Sequence, residues 1–275
     1  MDEAEGLDVV LPTWQVTEAS RADEPRLRVL VTTAVLALMI AGACRLGVSA
    51  VVVGTAVMGV LVAVGWPKLL GLPSPVGATV ALLFSVAAGI LAVTVPVNAP
   101  GPKLQFVPLA LATSLFAALT RELARPPGRP RLVESIAGTA CGQVVAVSGA
   151  TWIALSTIDE CRVAGPVAAA AILGGLLPEP LAARRSGRRI TPYAVVLAGA
   201  GTAYLTHVVL EGQPGRPVLL LAVCGVLAIC GYLARRVLSA APAIGGLAAQ
   251  VAVAVATLAA VGLPAYTLFT ALPGL

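Results

Sequence analysis

The stretch VLVTTAVLALMIAGACRLGVSAVVVGTAVMGVLVAVG, residues 29–65, contains one charge, Arg45. It divides into two apolar segments, Val29–Cys44 and Val48–Gly65, separated by Arg45-Leu46-Gly47. A helix needs roughly 20 apolar residues to cross a hydrocarbon core about 30 Å thick. In lipid, helices are the only open-chain way to satisfy every backbone N–H and C=O. The stretch therefore predicts two transmembrane helices, the first somewhat short unless Arg45 snorkels to extend it.

The same pattern continues to the end of the chain. Further apolar segments run over Pro75–Val97, Leu104–Leu119, Val133–Ile158, Val163–Leu177, Thr191–Leu210, Val218–Leu233 and Ile244–Leu272. Breaks rich in Pro, Gly or Arg separate them, such as Trp66-Pro67-Lys68 and Asn98-Ala99-Pro100-Gly101-Pro102. Val163–Leu177 is short enough for a re-entrant segment, but then the Arg184–Arg189 cluster would fall on the wrong side. The expected fold is all-α: a polytopic transmembrane helical bundle of nine spans.

Composition excludes most alternatives. Of 275 residues, 58% are hydrophobic and only 11% charged, and the mean hydropathy is +0.95. That charge is too little to cover a soluble surface, so an ordinary cytosolic enzyme, a nucleic-acid-binding domain, a disordered chain and a small disulfide scaffold are ruled out. Seven of the 13 acids, Asp2, Glu3, Glu5, Asp8, Glu18, Asp23 and Glu24, lie in the first 24 residues. Residues 1–26 are read as an acidic cytosolic tail leaning to disorder, and 27–275 as one transmembrane domain. No cleavage site precedes the first span, which reads as an uncleaved signal anchor.

Orientation follows from the cations. With the N-terminus inside and nine alternating spans, Arg21, Arg26, Arg28, Lys68, Arg121, Arg125, Arg129, Arg131, Arg184, Arg185, Arg188, Arg189, Arg235 and Arg236 face the cytosol. Arg45, Lys103, Arg162 and Arg216 face outward. The split is 14 to four, in the sense of the positive-inside rule. The C-terminus is then outside, in a bacterial inner membrane.

Polar residues within spans are few. Glu134 opens the fifth segment, with Gly138 and Gly142 on the same helical face at i+4 and i+8. Two readings stand: a helix-packing face built on Gly138 and Gly142 with Glu134 favoured by the helix dipole, or a carboxylate facing a head group. Glu179, in Leu177-Pro178-Glu179-Pro180, ends the sixth segment beside Arg184, Arg185, Arg188 and Arg189. That cluster is either a topology anchor or an anionic-lipid site. Glu134, Glu179, Arg129, Arg131 and the four arginines share one side of the membrane and form one candidate interfacial head-group site. Gln143 and Gln250 are expected to donate interhelical hydrogen bonds. Trp66 and Trp152 are expected in interfacial belts, and His207 is expected as a polar anchor near the outer face. Cys44 and Cys161 fall near that face, where oxidising conditions permit pairing. No cofactor motif, metal-ligand spacing or catalytic set occurs, so no catalytic residue, cofactor or metal is expected. The partners expected are the bilayer, an anionic lipid and a membrane protein, not nucleic acid.

Arg129-Pro130-Arg131-Leu132-Val133-Glu134-Ser135-Ile136-Ala137-Gly138 resembles the basic loop and Glu-led helix of the phosphatidate cytidylyltransferase family. Gly175-Leu176-Leu177-Pro178-Glu179-Pro180-Leu181-Ala182-Ala183-Arg184-Arg185 resembles that family's second cytosolic block. The resemblance covers residues 129–185 and implies a multi-span lipid head-group transferase. The family's metal-binding Asp is absent from the second block, where Gly175 stands nearest. Its Lys-Asp pair and Pro-Gly-His-Gly-Gly run are missing after Arg185, which implies loss of the metal-dependent activity. The Ala, Gly, Val and Arg load also resembles polytopic membrane proteins of high-GC actinobacteria. Three functional classes follow: a permease-like carrier of a small or lipidic solute, a non-catalytic partner in an envelope-synthesis complex, and a degenerate head-group transferase.

Overall fold

A computed structural model describes residues 27–95, 103–124, 131–158, 161–180, 189–212, 216–241 and 243–272. The tail 1–26, Arg125, Arg129, Arg184, Arg185, Arg188 and the C-terminal 273–275 lie outside the described residues, as do the side chains of Cys161 and Arg162. Among the described residues all regular structure is helical: α1 (Leu27–Leu46), α2 (Val48–Leu69), α3 (Pro75–Thr94), α4 (Val107–Leu123), α5 (Leu132–Gly149), α6 (Thr151–Leu155), α7 (Cys161–Leu176), α8 (Thr191–Glu211), α9 (Pro217–Ser239) and α10 (Leu247–Ala271).

Local chemistry sets the boundaries. Pro occupies the first or second position of α3, α4, α8 and α9, where its missing N–H costs nothing. A single residue, Gly47 at φ 120°, turns α1 into α2, a conformation that L side chains resist. At Ala150 the ladder tightens to an i→i−3 bond, Ala150 N–H to the Val147 carbonyl at 3.0 Å, and α5 continues as α6.

Seven stretches are long and apolar enough to cross a membrane: α1, α2, α3, α5 continued through α6, α8, α9 and α10. The other two expected spans are helices at the expected places but shorter, α4 with 17 residues and α7 with 16. At 1.5 Å per residue these reach about 26 and 24 Å, less than a full hydrocarbon core. Outer helices present apolar side chains outward, including Val209 (80% exposed), Phe116 (72%) and Val53 (63%). Soluble monomers rarely expose contiguous patches of this kind.

The helices form two groups around α10. On one side α3 and α5 pack on each other and each on α2 and α4; on the other, α7 packs on α1, α8 and α9. α10 touches α1, α2, α5, α6 and α9. Buried residues make up 67% of its central stretch, against 28% for the lipid-facing α8. α7 is buried nearly all round: Val167, Ala168, Ala169, Ala171 and Ile172 are inaccessible. A helix enclosed by protein is released from matching the bilayer thickness, which explains why so short an apolar segment fits here.

Side-chain contacts show which helix ends lie together. Trp66, late in α2, meets Gly138, early in α5. Arg121, late in α4, meets Ser74 at the start of α3. Gly65 of α2 touches Ala248 and Ala252 at the start of α10. Glu179, just beyond α7, meets Arg235, late in α9, and Gly175 of α7 touches Val195 of α8. Lys68, Arg121, Arg131, Arg189, Arg235 and Arg236 therefore share one end of the bundle, called here the basic end. Arg45, Lys103 and Arg216 stand at the other.

Both tryptophans assigned to interfacial belts are instead buried, Trp66 at 3% and Trp152 at 0% exposure. Their indole N–H groups donate to interhelical carbonyls, Gly138 and Leu258, each at 2.9 Å. Four residues beyond each acceptor stands a glycine. A Cβ on Gly142 would lie 2.7 Å from the Trp66 ring, and one on Gly262 would lie 3.0 Å from the Trp152 ring. The polar handle of a buried indole finds a partner, and the glycine makes room for the ring. His207 also departs from expectation. It is 6% exposed and falls on the buried i+4 stripe Val195–Gly199–Ala203–His207 of α8, so it faces the bundle rather than the interface.

Candidate functional site

The sequence places Glu134 and Glu179 in one site; the structure places them in different packing groups. Glu134, in the first turn of α5, pairs with Arg131 on the same helix end. Both side chains are more than half exposed. Arg131 itself takes a left-handed conformation, φ 55°, and its Nη1 donates to the Gly71 carbonyl at 3.4 Å. Gly138 and Gly142 receive side chains rather than a facing backbone: Leu70 and Leu72 cover Gly138, and Trp66 and Leu82 cover Gly142. Arg189 is exposed at the basic end.

Glu179 is buried with Arg235, at 7% and 2% exposure. The Arg235 Nε donates to Glu179 Oε1 at 2.8 Å, and Nη2 donates to the same oxygen. Nη1 is buried without a hydrogen-bond partner. Burial pushes the Glu179 carboxyl above the ordinary carboxylate range, against the opposing pull of the Arg235 charge and hydrogen bond. Arg235 leans back along α9 toward Gly231, as helical side chains do. The pair ties the end of α7 to the end of α9.

A second polar cluster, at the α3/α4/α5 end, was not anticipated from the sequence. Glu122, at 2% exposure, ends α4 facing inward. It accepts a hydrogen bond from the Ser135 hydroxyl at 3.0 Å. Arg121 Nη1 lies 3.3 Å from Glu122 Oε1, an ion pair not aligned as a hydrogen bond. Arg121 Nη2 donates to the Ser74 hydroxyl at 2.7 Å. The guanidinium lies across Gly77, where a Cβ would collide with it. A cation against a helix N-terminus opposes the helix dipole, and the buried Glu122 offsets it. Arg121 and Arg131, each paired with a carboxylate, and the N-termini of α3 and α5 thus form a charged mouth beside α4.

Below this mouth, α4 and α5 meet along two matched stripes. On α4 the buried residues are Ala110, Ser114, Ala118 and Glu122. On α5, Ser135, Thr139 and Gln143 are buried at the same spacing. Glu122 accepts from Ser135, and the Gln143 amide donates to the Ser114 carbonyl at 2.8 Å, in line with the interhelical role expected of Gln143. Those two contacts set an antiparallel register that puts Thr139 opposite Ala118. The i+4 spacing on both helices was legible in the sequence; their pairing was not. Among the described residues no group of three His, Cys, Asp or Glu is arranged to hold a metal ion. The chain matches no family model, no curated protein and no solved structure.

Proposed function

We propose that the chain is a permease-like carrier of a lipidic solute, embedded as nine spans with the basic end cytosolic, and that the mouth at Arg121 and Arg131 recognises an anionic head group. The observation that carries the reading is this mouth's position. It lies at the membrane-surface end of α4, the outer helix that packs chiefly on α3 and α5. Cations at the cytosolic surface attract anionic lipid; a head group binds here by taking the place of Glu122 or Glu134 on its arginine, and a lipid in the bilayer reaches these two without entering the bundle. At the far end of α4, an apolar groove of about 320 Å³, lined by Leu91, Val95, Phe106 and Leu109 among others, opens between α3 and α4. A lipid chain suits that groove better than a polar solute.

A transferase using Glu134 and Glu179 together is less well supported. The two carboxylates sit in separate helix groups, and each is engaged by its own arginine. The test is reconstitution into phosphatidylcholine/phosphatidylglycerol vesicles carrying NBD-labelled lipid in both leaflets, with dithionite quenching of the outer one. The carrier reading expects loss of inner-leaflet signal above that of empty vesicles, faster for phosphatidylglycerol, and slowed by Arg121→Gln. No movement above empty vesicles sinks it. A stoichiometric protein retained in native nanodiscs would then assign the assembly role.

A further inference from the structure

We infer that the head group travels along the α4/α5 seam, with Thr139 as a contact inside the membrane, and that the ligand class is a phosphate-bearing lipid whose chains stay in the bilayer beside α4. The inference rests on the carrier reading and adds its route and substrate class.

The decisive residue is Thr139. It is 1% exposed, and its hydroxyl has no hydrogen-bond partner. Four other buried helical hydroxyls are paired. Thr33, Ser85, Ser114 and Thr257 each donate to the carbonyl four residues back, at 2.6–2.9 Å. A buried donor left unmade carries a desolvation cost, so an unpaired one invites explanation. Thr55 is a second case, lining a small, otherwise apolar pocket of about 10 Å³. Thr139 sits elsewhere, on the seam between Ser135 and Gln143, facing α4 across from Ala118.

The seam has the other properties of a route. Its α4 side above Glu122 is a stripe of small residues, Ala118, Ser114 and Ala110, which leaves room along the seam. Its α5 side offers a hydroxyl, a hydroxyl and an amide at i, i+4 and i+8, a ladder of donors running inward from the two arginines. Ser135 and Gln143 are occupied by α4 itself. When α4 moves aside it carries the Glu122 carboxylate away from Ser135, both groups lose their partners, and a phosphate passing down the seam replaces them. Thr139 is ready beforehand. At the far end Ala110 belongs both to the seam and to the apolar groove, so the head-group path and the chain-binding surface are continuous.

Two variants test this in the full chain, using the same NBD-phosphatidylglycerol vesicles. Thr139→Val keeps the shape and removes the unpartnered hydroxyl. The expected result is slower lipid movement in a protein whose Tm is unchanged or raised; a merely structural hydroxyl would not separate the two readouts in this way. In Ala118→Cys with Thr139→Cys, oxidation ties α4 to α5. Lipid movement is expected to fall to the empty-vesicle rate and to return on reduction, relative to the same protein kept reduced throughout. If wild type moves lipid and neither Thr139→Val nor the bridge changes the rate, the seam is overturned and the carrier reading survives. If wild type moves no lipid, both fall. Release of entrapped glycerol phosphate without lipid movement would overturn the lipid as ligand.

Discussion

The α7/α8/α9 junction and the α4/α5 seam each close on a buried carboxylate at the basic end, yet they are built from different materials. At the first, backbones touch. A Cβ on Gly199 would collide with Ala228 and lie 2.7 Å from the Ala171 carbonyl, and Gly174 is covered by Thr202, whose hydroxyl bonds Ala170 across the interface at 3.0 Å. At the second, a one-residue-wide stripe of small side chains meets polar ones, and the flanks of α4 face outward. Without a hydrophobic drive between helices in lipid, close approach of small residues is what locks a contact. The α7 junction has that close approach at its glycines; at the α4 seam the Ala110–Ser114–Ala118 stripe meets polar side chains instead, and on the carrier reading the first is the frame and the second the part that moves.

The largest expected effect breaks the frame. Arg235→Met leaves Glu179 buried without its countercharge and should cost about 3–5 kcal/mol, read as a lower unfolding midpoint in denaturant. Arg235→Met combined with Glu179→Leu should recover most of that loss, since a buried pair replaced by apolar residues is often neutral. A single variant as stable as wild type would show that the pair is not a staple. The pair also has a pH signature. Because the folded state raises the Glu179 pKa, this group's contribution is complete below the ordinary carboxylate range and is lost as pH rises through the raised value. Stability of wild type relative to Glu179→Gln should therefore decline from acidic toward neutral pH; a rise with pH would contradict the assignment.

Next comes overpacking at the same junction. Gly199→Ala should cost about 1–3 kcal/mol. Gly201→Ala, two residues on, meets open space and should be neutral or gain about 0.5–1 kcal/mol. Equal effects in thermal unfolding would mean that the close approach is not what holds α7. At the seam, Gln143→Leu removes one interhelical bond and should cost only about 0.6 kcal/mol, while changing lipid movement more than Gly199→Ala does per unit of stability. Smallest of all, Glu134→Gln removes an exposed pair and should shift stability by at most about 0.5 kcal/mol. A large loss there would return Glu134 to the centre of the site.

Much of the fold was readable because lipid imposes a crude rule. The apolar runs specify helices, and six of the described cations, Lys68, Arg121, Arg131, Arg189, Arg235 and Arg236, share one end, with Arg45, Lys103 and Arg216 at the other. What was misread were residues whose meaning depends on a neighbour. Trp66 and Trp152 are near span ends in the sequence, and interfacial placement is the general expectation; only the carbonyls of Gly138 and Leu258 and the glycines beyond them show why they are inside. Glu122 carries no motif that marks it out in the sequence. Its burial follows from its place on the Ala110–Ser114–Ala118 stripe, a pattern visible in the sequence but without meaning until Ser135 is placed opposite.

The sequence by itself determined helices, their approximate limits and the clustering of charge, because hydrogen bonding in lipid and the 20-residue span are local constraints on one segment at a time. Only the tertiary structure decided that α7 is enclosed, that Glu179 belongs to Arg235 rather than to Glu134, and that α4 and α5 share a polar seam. Those facts depend on which helices touch. In an apolar chain nearly every helix face is compatible with lipid, so hydrophobicity does not choose the neighbours; the close fit of glycine, alanine and a few polar side chains does.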